Sequence, residues 1–302
     1  MRMRHITVFK EEVVTALHPK PGAVIVDCTL GSGGHAEAIL PHIGSEGIYL
    51  GIDADPTALE TTRRYLDGTG GEQVRYICDT FAHLPEILAN QQIEQVDGIL
   101  ADLGWRIEQF NGDSGVPRGF SFSADEPLLM TYGDPDTYSF TAADIVNEWR
   151  EEDIANVLFA YGQERFSRRI ARAIVEARQD SSIETAQELG ELIKDSVPHW
   201  YASGRTHPAT KSFQALRIAV NDEFDTLTTL IQAGFAALAP GGRMAIITFH
   251  SLEDRIVKEH FKTFARDALG VLVTKKPLSP DAHTIKNNPR ARSAKLRTIE
   301  KI

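Results

Sequence analysis

Cysteine is scarce in this chain, with Cys28 and Cys78 the two among 302 residues. Both sit in or beside apolar runs that read as strands, so a disulfide framework and a cysteine-rich zinc site are excluded. No apolar run is long enough to span a bilayer, and the opening Met-Arg-Met-Arg-His lacks a secretory hydrophobic region. A cytoplasmic protein without membrane contact is the expectation. Internal repeats and low-complexity tails are missing too. No metal-ligand cluster accompanies the histidines, so no metal is expected. Positive charge is in deficit, with 32 Lys and Arg against 42 Asp and Glu and a net charge of −10. This argues against indiscriminate nucleic-acid binding but leaves room for local basic patches. The 42% apolar and 25% charged content is that of an ordinary globular protein. The length suits one large domain, or one domain carrying an insertion.

What is present centres on one stretch. Val24-Ile25-Val26-Asp27 is a β-branched run ending in an acid, Gly31-Ser32-Gly33-Gly34 is a glycine turn, and Ala36 to Leu40 is helix-compatible. A parallel α/β sheet presents backbone N–H groups to a ligand in this way, above its strand ends. The same glycines would also serve a tight turn needing them only for backbone reasons. Three more apolar runs end in an acid: Gly47 to Asp53, Val74 to Asp79 and Val96 to Asp102. Four acids at one sheet edge, opposite a glycine turn, make a polar crevice where open α/β sheets bind ligands.

The remaining elements are read from periodicity. A helix is expected over residues 5–20, ended by Pro19, Pro21 and Gly22. From Arg106 to about Arg205 the strand pattern stops. Helical stretches replace it at Ala142–Arg150, Glu152–Tyr161, Arg165–Arg178 and Thr185–Ser196. Thr210 to Leu238 reads as one long helix, Arg243 to Phe249 as a strand, and His250 as the start of another helix. Gly270 to Thr274 and Ala294 to Ile299 are the last strand candidates. The expected organisation is a discontinuous α/β domain, 1–105 and 206–302, interrupted by a mostly helical substrate-recognition insertion, 106–205.

The turn Gly31-x-Gly33-Gly34 is not the G-x-G-x-x-G that packs a pyrophosphate, which disfavours an NAD-linked oxidoreductase. Asp27, just before the glycines, would repel a pyrophosphate but accept from an amino-acid ammonium. Asp53 stands where ribose hydroxyls are held. Both favour S-adenosyl-L-methionine. Phe81 suits either packing against an adenine or plain core packing. Asp102, in Asp102-Leu103-Gly104-Trp105, lies where a methyl acceptor belongs. A carboxylate there can hold the N–H groups of a base amine and take up developing positive charge. The plainer role is a turn or capping acid. Trp105 suits stacking on a flipped-out base or core packing. Two basic clusters, Arg165/Arg168/Arg169/Arg172 and Lys286/Arg290/Arg292/Lys295/Arg297, suit phosphate contacts or a solvated face. The second would lie at the cleft edge if the final strand is antiparallel. His35 and His250 flank the cleft.

These residues together resemble the bacterial 16S ribosomal RNA cytidine N4-methyltransferases, the family of ribosomal RNA small subunit methyltransferase H. The resemblance rests on Asp27-Cys28-Thr29-Leu30-Gly31-Ser32-Gly33-Gly34-His35, Asp53-Ala54-Asp55-Pro56 and Asp97-Gly98-Ile99-Leu100-Ala101-Asp102-Leu103-Gly104. It continues through Tyr161-Gly162-x-Glu164-Arg165-Phe166, His207-Pro208-Ala209-Thr210, Phe249-His250-Ser251-Leu252-Glu253-Asp254-Arg255 and Asn288-Pro289-Arg290-Ala291-Arg292-Ser293. It implies a Rossmann-like class I S-adenosylmethionine-dependent methyltransferase fold with a helical insertion. It implies methylation of N4 of a cytidine in the decoding centre of 16S rRNA, within the small ribosomal subunit, by in-line displacement without metal. By position it places cofactor contacts on Gly33, Gly34, His35, Asp53, Phe81, Asp102 and Gln109, with Asp102 catalytic. His35 and Gln109 come from the resemblance alone. The oligomeric state stays open, a homodimer being one option. Two segments depart from the family pattern. Trp105-Arg106-Ile107 stands where Val-Ser-Ser is usual, and Leu128-Leu129-Met130-Thr131-Tyr132-Gly133 where Leu-Asp-Met-Arg-Met-Asp is usual. The cofactor half is intact and the acceptor half altered, so a diverged paralogue with another target, or binding cofactor and RNA without catalysis, is the alternative.

Overall fold

A computed structural model describes residues 7–67, 73–103 and 117–302. The chain forms two compact units, one from 1–105 and 224–302, the other Arg106–Glu223. In chain order the first unit opens with helix α1 (Lys10–Leu17). This is shorter than the expected 5–20 because Phe9 and His18 are both left-handed, with φ of 58° and 51°. Strand β1 (Val24–Asp27), helix α2 (Gly34–Ile43), β2 (Ile48–Asp53), α3 (Pro56–Leu66), β3 (Val74–Cys78), α4 (Leu84–Asn90) and β4 (Val96–Asp102) follow. Helix α3 starts cleanly: Pro56 occupies its first turn, and the Asp55 carboxylate accepts from the Thr57 N–H at 2.8 Å.

The second unit holds α5 (Ala142–Glu148), α6 (Glu151–Gly162), α7 (Ser167–Ala177), α8 (Ala186–Ser196), α9 (His199–Ala202) and α10 (Thr210–Val220). Reciprocal capping boxes, Thr141 with Asp144 and Thr185 with Glu188, start α5 and α8. Helix α10 belongs here rather than with the sheet, so this unit runs to Glu223 and not Arg205. The reason is packing. Gly162 lets α6 approach α10 so closely that a Cβ there would strike the Lys211 carbonyl. Asn221 at the end of α10 donates to the Met130 carbonyl at 2.7 Å and accepts from the Tyr132 N–H at 3.0 Å. Buried Arg217 forks onto Glu223 at 2.5 and 2.7 Å.

The chain then returns to the first unit through α11 (Glu223–Ala237), β5 (Leu238–Thr248), α12 (Ser251–Arg266), β6 (Gly270–Leu272), α13 (Ala282–Asn287) and β7 (Lys295–Lys301). The expected single helix from Thr210 to Leu238 is two, divided where Asp222 turns left-handed with φ of 47°. Pro240-Gly241-Gly242 lies inside β5 and marks a register shift against β4.

The sheet order is β3-β2-β1-β4-β5-β7-β6, with β1 to β5 parallel and β7 antiparallel to both neighbours. Its two faces follow the period of two. Ile25, Tyr49, Leu100, Ala245 and Ile247 join a core with Val13, Ile39, Ile43 and Leu66. Val26, Leu50, Ile99, Ala101 and Ile246 join a second with Leu84, Leu230, Phe235, Val257 and Phe261. Among the described residues no helix is long and apolar enough to cross a membrane.

Candidate functional site

The site is set by where β1 stops. Asp27, its last residue, pairs with Gly51 of β2 and Leu100 of β4, and both neighbours run on to Asp53 and Asp102. The turn after β1 fills the notch between them. Cys28 N–H donates to the Leu100 carbonyl at 2.9 Å and Leu30 N–H to the Ile52 carbonyl at 2.9 Å. Gly31 N–H donates to Asp53 Oδ2 at 2.9 Å, and Asp102 N–H to Thr29 Oγ1 at 2.7 Å. Strand order reverses between β1 and β4, so the notch is the topological switch point of the sheet.

Glycine is needed in this turn for the protein's own packing. Gly31 and Gly33 have φ of 52° and 75°, which side chains resist. A Cβ on Gly33 would lie 2.7 Å from Thr62 Cγ2, and one on Gly34 would overlap Thr7 Oγ1. Thr62 Oγ1 also donates to the Gly31 carbonyl at 2.5 Å. The loop is thus braced from α3 and from the N-terminal segment.

The four strand-end acids share one edge but have different surroundings. Asp27 does not face a ligand as expected: it is 1% exposed. Its Oδ2 accepts from the Tyr49 hydroxyl at 2.7 Å and its Oδ1 from the Thr29 N–H at 3.0 Å. Burial pushes its pKa above the ordinary aspartate value, opposed by His35 and by these hydrogen bonds. Burial and the same carboxylate drive the Tyr49 pKa well up, so Tyr49 stays a donor. Asp53 accepts from Gly31 at Oδ2 and, through Oδ1, from the Asp55 N–H at 2.9 Å. Asp79 accepts from the Thr80 N–H at 2.7 Å and contacts His83 Nδ1 at 2.8 Å. That fixes the short turn Phe81–His83, where Phe81 is half-buried against the second core. Asp102 keeps a side chain 15% exposed, and His35 Nε2 stands 3.4 Å from its Oδ2. The ring of His35 is buried, and neither nitrogen makes an aligned hydrogen bond. Trp105, Gln109 and Gly104 lie outside the described residues.

The other flank is built from α12 and β7. His250 caps α12, accepting from the Glu253 N–H at 3.3 Å, while Glu253 accepts from the N–H groups of Phe249 and His250 at 2.9 and 3.2 Å. Thr248 pairs with Lys295, so the antiparallel β7 begins at the carboxyl edge of β5, and the basic segment before it reaches the rim as expected. Lys295 and Arg297, however, turn onto Asp254. Lys295 Nζ lies 2.8 Å from Asp254 Oδ2, and Arg297 Nε and Nη2 lie 2.7 and 3.2 Å from its oxygens. Burial pushes the Asp254 pKa up, but the two cations outweigh it and hold it below the usual carboxylate value. Lys286 and Arg292 remain exposed. Reading residues alone misses Tyr49, Thr62 and Asp254. Each acts through a partner distant in sequence, and only their polar character inside apolar or helical runs hints at them.

A buried imidazole always carries at least one N–H, and here it has no bonded acceptor. That gap fits a ligand bearing a hydrogen-bond acceptor. Five parallel strands, a glycine turn after β1, an acid ending β2 and an antiparallel β7 between β5 and β6 define a class I S-adenosylmethionine-dependent methyltransferase fold. Residues 2–302 match the model of the MraW methylase family, and the chain belongs to that family. It is 44% identical over 315 residues to ribosomal RNA small subunit methyltransferase H of Syntrophotalea carbinolica, covering 99% of this chain and 98% of that protein. The protein of the same name from Brevibacillus brevis is 40% identical over 317 residues, covering 100% and 99%. That from Geobacter sulfurreducens is 41% identical over 317 residues, covering 100% of each.

Proposed function

We propose that this protein transfers a methyl group from S-adenosyl-L-methionine to N4 of a cytidine in the decoding centre of 16S rRNA, acting on small ribosomal subunits in the cytoplasm. The observation that carries the reading is the placement of Asp102. Its backbone is stitched to the glycine turn through Thr29, so the turn and the acceptor carboxylate are one rigid construction. When bound, the cofactor supplies an electrophilic methyl on a sulfonium. Asp53 accepts hydroxyl donors at the tip of β2, the N–H groups of Gly34 and His35 open α2, and Gly33, whose own N–H donates to the Leu30 carbonyl at 2.9 Å, lets the ligand approach the turn. Phe81 offers an apolar face, and the family resemblance adds Gln109, which lies outside the described residues. His35 donates to a polar atom of the ligand, satisfying its open nitrogen.

An exocyclic base amine is a weak nucleophile because its lone pair is delocalised into the ring. The Asp102 carboxylate accepts its N–H, favours the pyramidal nitrogen and balances positive charge as the C–N bond forms. The proton then leaves through the same oxygen. The test uses labelled cofactor and small subunits lacking the modification. Wild type transfers label to the cytidine, whereas Asp102→Ala, still folded, is slowed at least roughly 100-fold. Rapid transfer by Asp102→Ala, or an unmodified cytidine after exposure to wild type, refutes the assignment. The altered segment Trp105-Arg106-Ile107 favours a second reading, binding of cofactor and RNA without catalysis. It requires cells carrying Asp102→Ala to behave as wild type.

A further inference from the structure

The helical unit carries an arginine-rich aromatic surface that the chemistry at the strand ends does not use. Helix α7 buries Ile170, Ala171 and Ile174 and exposes Arg168, Arg169 and Arg172. Just before it, the Arg165 guanidinium carbon lies 4.6 Å from the Trp200 ring centroid, 4.8 Å from Phe166 and 5.7 Å from Tyr201. Trp200 is nevertheless 60% exposed. Fully buried Glu164 holds the assembly from beneath, accepting from the Tyr201 hydroxyl at 2.6 Å and the Phe166 N–H at 2.8 Å. Arg169 Nε donates to the Ser196 carbonyl and ties α7 to the end of α8, just ahead of Trp200.

Two features of this surface are unfavourable in the protein alone. Arg168 and Arg169 sit in the first turn of α7, which holds no acid, so they oppose the positive end of the helix dipole. An indole held in water forgoes burial of its large apolar ring. One kind of ligand relieves both: a flexible polyanion bearing flat rings. Stacked bases answer Trp200, and phosphates answer the arginines. The ion pair of Arg172 with Glu151, 3.7 Å apart and exposed, offers little competition.

We propose that this surface docks single-stranded RNA, with an unpaired base stacked on Trp200, itself stiffened by Arg165, and phosphates held by Arg168 and Arg172. The inference rests on RNA being the substrate, and it names the part of the chain that grips it. The test titrates full-length protein into a labelled single-stranded oligoribonucleotide of mixed sequence at several salt concentrations. Trp200→Ala weakens binding about ten-fold, while Trp200→Phe keeps most of it. Arg168→Gln with Arg172→Gln lowers the slope of log affinity against log salt by about 1.4. Cofactor affinity and melting temperature stay at the parent values in all three, because the changed side chains are exposed. Parent-like affinity in Trp200→Ala overturns the proposal. So does equally tight, equally Trp200-dependent binding of an RNA duplex. Unchanged oligonucleotide affinity with weakened binding to intact small subunits also overturns it, since a ribosomal protein would then occupy the surface. Binding is read without methyl transfer. Trp200-dependent RNA binding in a protein that methylates nothing would sink the catalytic reading and leave this one standing.

Discussion

Replacing Tyr49 by Phe tests whether Asp27 is a structural acid. The hydroxyl removed is buried, donates to Asp27 Oδ2 at 2.7 Å, and belongs to a tyrosine with no exposure. Phenylalanine fills nearly the same space, so the change isolates the hydrogen bond. With Asp27 ionised, the lost bond is charge-assisted and costs about 1.5–3 kcal/mol. With Asp27 protonated, it is a neutral bond costing about 0.5–1.5 kcal/mol. The sign of the pH effect follows from burial, which raises the carboxyl pKa in the folded state. Between the ordinary aspartate value and the raised one, the native state binds more protons than the unfolded chain, so parent stability falls as pH climbs through that window. Tyr49→Phe withdraws a donor that favours the charged form and extends the window upward. The deficit relative to the parent therefore grows with pH. For a unit of this size, the loss where Asp27 is ionised is a fall in melting temperature of roughly 4–9 °C, and about half that where it is protonated. Calorimetric melts of both proteins as a function of pH are the assay. A deficit below about 1 °C throughout, or one that shrinks as pH rises, refutes the reasoning. If Asp27 instead served a ligand, its pairing with Tyr49 would matter more to cofactor affinity than to melting.

Other perturbations separate packing from chemistry. Asp254→Ala strands Arg297 and Lys295, of which Arg297 has a side chain 13% exposed, and should cost roughly 3–5 kcal/mol by denaturant unfolding. In wild type that contribution is present above the unfolded aspartate pKa and is lost as pH falls through the depressed folded value, so acid unfolding monitored by fluorescence should show Asp254→Ala and wild type converging once pH falls below that depressed value. Gly34→Ala drives a methyl into Thr7 Oγ1 and should destabilise by about 1–3 kcal/mol. Adding Thr7→Ala should restore most of that loss, and a double variant no more stable than Gly34→Ala alone would show that the collision is not the cause. Cofactor titration by calorimetry should find Asp53→Ala weakened at least about ten-fold, as expected for losing a carboxylate that also anchors the Gly31 N–H.

The parts of the fold that local pattern specifies were legible in the sequence. The first four strands stand out because each is a short β-branched or apolar run that an acid ends or follows, and the sheet sets them side by side in parallel. Helices α5 and α8 were legible to within a turn because Thr141 and Thr185 announce their starts. The misreadings came where apolar spacing continues across a break. Asn221 and Asp222 interrupt an otherwise unbroken helical pattern, and nothing in that pattern says that Asn221 will reach back to Met130. For the same reason α10 looked like part of the sheet domain, although its contacts are with α6. Of the site, the positions of Gly33, Gly34, Asp53 and Asp102 could be read. The direction in which an acid at a strand end points could not, because it depends on a partner from another strand or helix. Tyr49 for Asp27 and Arg297 for Asp254 are cases of this.

The rim acids differ in how they are held. Asp27 carries its carboxyl into the interior, where His35, Tyr49 and Thr29 favour its charged form against burial, and it fixes the first turn after β1. Asp53 holds the Gly31 N–H through Oδ2 and the Asp55 N–H through Oδ1. Asp102 is fixed through its backbone by Thr29, the same residue whose N–H binds Asp27. Thr29 thus links a buried carboxylate to the one proposed to receive the amine. Thr29→Val keeps the shape but removes Oγ1, leaving the Asp102 N–H without its acceptor. Methyl transfer should then fall about ten-fold or more through kcat, with cofactor affinity little changed, since the turn keeps its bonds to Leu100, Ile52 and Asp53. Steady-state kinetics on unmodified small subunits decide it. A variant with parent kcat would show that the Asp102 carboxylate is positioned by something other than this bond.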